Sequence, residues 1–129
     1  MGIKADFEAW ERNSWFHRLR QATEEIAALV RPGTAFVLVD DEEWGMEKEW
    51  MGRRRFAFLE REGEYWGAPP DDDIAIRELE RLKSDGADFI VFAWPAFWWL
   101  DYYAEFRSYL HARFRRLLEN DRVIVFDLR

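Results

Sequence analysis

The side chains best suited to chemistry fall in a few short runs. Asp40-Asp41-Glu42-Glu43 and Asp71-Asp72-Asp73 cluster carboxylates, the hard oxygen ligands that a divalent cation gathers at one point. Trp94-Pro95-Ala96-Phe97-Trp98-Trp99-Leu100-Asp101-Tyr102-Tyr103 puts indole and phenol rings beside an acid. Such rings stack on the apolar faces of sugars while neighbouring carboxylates take the hydroxyls. His17 and His111 lie off the apolar stripes of their segments and read as surface residues. No serine sits in a G-x-S-x-G elbow, and no G-x-G-x-x-G or Walker lysine loop follows the first apolar run. The chain has no cysteine, which removes disulfides, thiolate metal sites and cysteine nucleophiles. No catalytic residue, metal ligand or cofactor is assigned.

The acidic runs each have a plainer reading. Asp71-x-Asp73 matches the Asp-x-Asp pattern with which glycosyltransferases hold a cation on a nucleotide sugar. Three acids ahead of an apolar-periodic segment are also an ordinary helix start, and helix capping is the expectation. Asp40–Glu43 follows an apolar strand and reads as a solvated acidic turn or as a ligand contact.

These residues must be positioned by a small number of elements. With 129 residues and 15.7 kDa, the expectation is a single domain over 1–129. Trp15, Leu19, Ala22, Ile26 and Leu29 recur at helical spacing, with Phe16, Thr23 and Val30 widening the stripe. Arg31-Pro32-Gly33 ends that N-terminal helix. Ala35–Val39 is wholly apolar, as befits a strand covered on both faces. Arg55–Leu59 is a second, shorter strand, and Gly63–Pro70 a loop. A helix opens at Asp71, carries Ala75, Leu79 and Leu82 inward, and stops at Gly86. Phe89–Phe92 is the third strand. A long helix over about 97–118 follows, with Trp99, Tyr103, Phe106, Leu110, Phe114 and Leu117 inward and Trp98, Tyr102 and Tyr109 as a second row. Val123–Phe126 is the fourth strand.

Apolar strands alternating with amphipathic helices imply an α/β fold. The expectation is a small three-layer Rossmann-like domain with a mainly parallel four-stranded sheet and an N-terminal helix. The second strand either follows that parallel pattern or pairs antiparallel with the first. Ligands of open α/β sheets bind beyond the carboxyl ends of the strands. That rule gathers Asp40–Glu43, Glu60, Tyr65, Trp66, Trp94, Trp98 and Asp127 on one rim. The expected ligand or partner surface is Asp41, Tyr65, Trp66, Trp94, Trp98 and Tyr102.

Composition narrows the partners. Aromatics make up 18% of the chain, more than a core of this size holds. The net charge of −7 disfavours nucleic acid, because phosphates need a concentrated basic face. Arg53–Arg55 and Arg113, Arg115 and Arg116 read as solvated, salt-bridged faces. No apolar run approaches the ~20 residues that span a bilayer. Met1-Gly2 opens like a myristoylation site, but Asp6 stands where Ser or Thr is wanted. The expectation is a soluble cytoplasmic protein without membrane or nucleic-acid partners.

Gly86-Ala87-Asp88-Phe89-Ile90-Val91-Phe92, followed by Phe97-Trp98-Trp99-Leu100-Asp101-Tyr102-Tyr103-Ala104-Glu105-Phe106, resembles an uncharacterised bacterial domain. That domain is often appended to family 2 glycosyltransferases and sometimes to sulfotransferases. The similarity runs from about Pro32 to Leu128 and includes Gly63-x-Tyr65-x-Gly67. Its most specific part is the Trp-Trp-Leu-Asp-x-Tyr core. Histidines of the family pattern fall on Ala57, Glu78 and Tyr102 here, its proline on Leu59, and its Gly-Asp pair on Asp40-Asp41. The resemblance implies a setting in glycan assembly, and the missing histidines fit binding better than acid–base catalysis.

Three functions follow as expectations. The first is a non-catalytic accessory or binding module of bacterial glycan assembly, with a glycan or a glycosyltransferase as partner. The second is a small transferase or nucleotide-sugar-binding enzyme using Asp40, Asp41 and Glu60 near a cation. The third is a protein-interaction domain whose exposed aromatics dock a partner or a second copy as a homo-oligomer.

Overall fold

The apolar runs of the sequence become the strands of a mixed sheet. The computed structural model describes residues 3–44 and 50–129. Met1, Gly2 and residues 45–49, part of the stretch from Trp44 to Gly52 whose sequence reads as irregular, lie outside the described residues. Helix α1 (Ile3–Leu29) leads into strand β1 (Ala35–Val39), then β2 (Arg54–Ala57). A short hairpin, β3 (Glu60–Arg61) and β4 (Glu64–Tyr65), precedes helix α2 (Asp72–Ser84) and strand β5 (Ala87–Ala93). A 3-10 turn (Trp94–Ala96), helices α3 (Trp98–Tyr102) and α4 (Ala104–Arg113), and strands β6 (Arg115–Glu119) and β7 (Val123–Asp127) complete the order.

The main sheet runs β2-β1-β5-β7-β6. β1 pairs parallel with β2 and β5, while β7 pairs antiparallel with β5 and β6. Strand β1 shows why its sequence is apolar throughout. Its side chains alternate between faces: Val37 and Val39 join the core with Leu79, Trp99 and Phe106, and Phe36 and Leu38 join Ala22 and Ile26 of α1. Helices thus cover both sides of the sheet. Among the described residues, no helix is long and apolar enough to cross a membrane.

Several expectations are corrected. The sheet has five strands rather than four and is mixed rather than mainly parallel. The helix expected to reach 118 ends at Arg113, and Phe114 turns extended (φ −128°, ψ 152°). The cause is a tight hairpin: Asn120 Oδ1 accepts the backbone N–H groups of Arg122 and Val123, folding β7 back along β6. Phe114 and Leu117, placed on the inner helical stripe, are only partly buried. The second strand, expected over Arg55–Leu59, ends at Ala57, and Glu64–Tyr65, expected as part of the Gly63–Pro70 loop, pair with Glu60–Arg61 as the β3–β4 hairpin. Phe16, expected to widen the stripe of α1, is exposed.

The helix ends are satisfied largely by distant residues. Asp71 is the N-cap of α2 and accepts the Ile74 N–H at 2.9 Å, the capping expected for the acidic triad. Gly86 (φ +111°) takes the left-handed conformation past its end. α1 has no basic residue in its last turn. Arg53 donates instead to the carbonyls of Ala27 (3.2 Å), Val30 and Trp50 (3.2 Å). That residue belongs to the cluster expected to be a salt-bridged face, and it caps a helix.

Candidate functional site

The site grows from the acidic turn after β1. Asp40 is almost fully buried, and its two oxygens accept the backbone N–H groups of Glu42 (3.1 Å) and Trp44 (3.3 Å). Burial, the largest influence, raises its pKa against those hydrogen bonds and the nearby Arg55 charge. This side-chain-to-backbone turn carries Asp41 (φ 52°) and Glu42 (φ 61°) through the left-handed region, which non-glycine residues seldom occupy.

The conformation presents Asp41 to two adjacent indoles. Asp41 Oδ2 accepts the Trp98 Nε1–H at 2.6 Å and Oδ1 accepts the Trp99 Nε1–H at 2.9 Å. Trp99 is fully buried and Trp98 is 43% exposed. A buried indole N–H needs an acceptor, so one carboxylate satisfies the core ring and holds its neighbour at the surface. Trp98 also meets Tyr102, 71% exposed, with centroids 5.9 Å apart and planes at 68°. Tyr102 in turn packs edge-on against buried Tyr103 (4.8 Å, 83°), whose hydroxyl donates to the Pro69 carbonyl at 2.6 Å.

Tyr65, on the β3–β4 hairpin, lines a surface groove with Trp66 and feels the charge of the acidic turn. Its phenol is pushed up to about 12, first by burial and then by the charges of Asp41, Asp40 and Glu42. Burial likewise raises Tyr103, with Tyr102, Asp41 and Asp72 adding to it. Asp41, Trp98 and Tyr102 therefore come together, backed by Trp99 and Tyr103, and Tyr65 lies within the field of the acidic turn.

The other rim residues are placed elsewhere. Trp94 packs among Trp15 (6.0 Å) and Trp44 (5.3 Å) under the guanidinium of Arg18, on the α1 side of the sheet. Trp66 is exposed and lines a surface groove of about 440 Å³ with Arg61, Glu62, Glu64 and Tyr65. Glu60 accepts from the Gly63 N–H (2.9 Å) and from Arg81 (3.2 Å). The Gly63 hydrogen bond is the main reason that its pKa is lowered. Asp127 pairs with Phe89, at the opposite end of β5 from Ala93. The rim rule assumed a parallel last strand; β7 runs the other way and carries Asp127 to the far edge.

The acceptor role of Asp41 and the support from Trp99 and Tyr103 were not read from the sequence. One signal pointed to the first: two consecutive tryptophans, one on the inner stripe, require an acceptor, and Asp40–Glu43 is the acidic run at that edge. Among the described residues, no three His, Asp or Glu side chains are grouped to hold a metal ion. In comparisons with known proteins, no family model, curated protein or solved structure matches the chain.

Proposed function

We propose that this is a non-catalytic binding module of bacterial glycan assembly, holding a hydroxyl-rich ligand on Asp41, Tyr65, Trp98 and Tyr102. The observation that carries the reading is the hydrogen bond from Trp98 to Asp41, which fixes a partly exposed indole at the surface. A preset aromatic wall beside carboxylates suits a sugar's apolar face and its hydroxyls. Helices on both faces of the sheet support a three-layer, Rossmann-like scaffold, and the acidic turn lies at the carboxyl end of β1 as such scaffolds favour. The resemblance to the glycosyltransferase-appended domain supplies the setting, with a cytoplasmic glycosyltransferase as partner. The carboxylates of the transferase reading support binding over catalysis: Asp40 and Asp41 accept from four N–H groups, and Glu60 from Gly63 and Arg81.

Calorimetry with a panel of mono- and disaccharides tests the reading. Trp98→Ala and Tyr102→Ala should each weaken binding while circular dichroism stays native. Unchanged binding in both folded variants overturns it.

A second reading, docking of a protein partner or second copy, is favoured by Phe7, Trp10 and Phe16, each more than half exposed on α1. A monomeric mass in solution and an unchanged pull-down profile for Trp10→Ala would remove it.

A further inference from the structure

We infer that the rim formed by Asp41, Trp98 and Tyr102 selects a cationic group, an ammonium or quaternary ammonium such as the protonated amine of an amino sugar. The inference rests on the binding reading above and names the ligand class of the same site.

Two walls are already in place. Trp98 and Tyr102 stand at 68° with centroids 5.9 Å apart, and both are open to solvent. Aromatic faces carry negative potential and attract cations, most strongly for indole. Trp98 donates its N–H to a carboxylate at 2.6 Å, which shifts electron density into the ring and makes its face more negative. The donors on Asp41 are neutral indole N–H groups. They occupy one lone pair on each oxygen and bring no compensating charge.

The surrounding charge has the same sign. Asp40, Asp41, Glu42 and Glu43 are consecutive, with Arg55 acting on Asp40 from β2. The Glu42 Oε1 is shielded from solvent and has no hydrogen-bond partner among the described residues. A neutral sugar adds no charge to that of Arg55 against the acidic run; an ammonium brings donors and a further positive charge. The raised phenol of Tyr65, attributed in part to Asp41, Asp40 and Glu42, reports the same negative field.

Titrations near pH 6, where amines are protonated, compare glucosamine, N-acetylglucosamine, glucose and tetramethylammonium. The Trp98 indole N–H resonance and calorimetry are the readouts. Glucosamine should bind about tenfold more tightly than glucose or N-acetylglucosamine, within the range of a cation over an aromatic face. A Glu42→Gln/Glu43→Gln double variant should shrink that ratio, and Tyr102→Ala should abolish the tetramethylammonium response. Equal binding of glucosamine and glucose overturns the cation inference and leaves the glycan reading standing. Binding of tetramethylammonium with no sugar supports the inference and overturns the glycan reading. No response to any probe overturns both.

Discussion

The carboxylate of Asp72, in the first turn of α2, accepts the backbone N–H of Phe106 at 2.8 Å, in the first turn of α4. Tyr103, at the N-cap of α4, has no side-chain capping bond of its own. The acidic triad therefore serves two helices: Asp71 caps its own, and Asp72 caps one 34 residues further along.

Asp71→Ala and Asp72→Ala should each lower stability by ~0.5–2 kcal/mol in urea unfolding. Asp73→Ala, which removes neither bond, should stay within ~0.5 kcal/mol of wild type. Hydrogen exchange at the Phe106 amide should accelerate in the Asp72 variant alone.

Trp99→Ala removes a fully buried ring and should cost ~3–5 kcal/mol. Trp98→Ala should cost well under half of that, because its ring is partly solvated in the folded chain. Urea midpoints of the two variants decide the matter, and equal losses would make Trp98 a core residue.

Arg53→Ala strips the end of α1 of its guanidinium donor. Carbonyls left without a partner make this a loss of ~1–3 kcal/mol. Arg53→Lys should recover only part of it, since one ammonium lacks the planar fork that reaches several acceptors. Thermal unfolding of both variants checks the order.

Tyr65 should be late to ionise in a spectrophotometric titration, at about 12, whereas the unfolded chain releases a tyrosine proton near ~10. The folded value is the higher one, so the stability due to neutral Tyr65 is complete below the unfolded value. It falls as pH rises from there through about 12. Tyr65→Phe should remove the latest absorbance step and flatten the decline in stability over that interval.

Elements with local signals were legible in the sequence. Ala35–Val39, the acid-capped helix ending before Gly86, and the apolar runs at Phe89 and Val123 all lie where their patterns put them. The stripe Trp99, Tyr103, Phe106 and Leu110 is fully inward although the helix breaks at Tyr103, because α3 and α4 pack on one cluster. Strand β6 was hidden because Phe114 and Leu117 continue a helical spacing, and the competing Asn120 turn acts only once β7 pairs with it. Without β6, the antiparallel direction of β7 and the departure of Asp127 from the rim had no local trace. The clustering of Asp41, Trp98 and Tyr102 was suggested by a general rule about sheets. The indole hydrogen bonds, made across more than fifty residues, had only the paired tryptophans' need for an acceptor as a signal, with nothing local to say which acid meets it.

The position of β7 bears on how the chain comes together during synthesis. β1, β2 and β5 are all made before the ribosome reaches β7, so the outer edge of β5 waits with its ladder groups unpaired. Apart from Asp88 its side chains are apolar on both faces, the kind of edge that recruits strands from other molecules. β6 and β7 are joined by a tight turn and can zip together as a local hairpin. That hairpin closes the open edge with β7 and turns outward β6, whose Arg115, Arg116 and Glu119 are charged. The β6–β7 hairpin thus acts as the seal on a nascent sheet, and variants that weaken the Asn120 turn should aggregate during translation before they lose equilibrium stability.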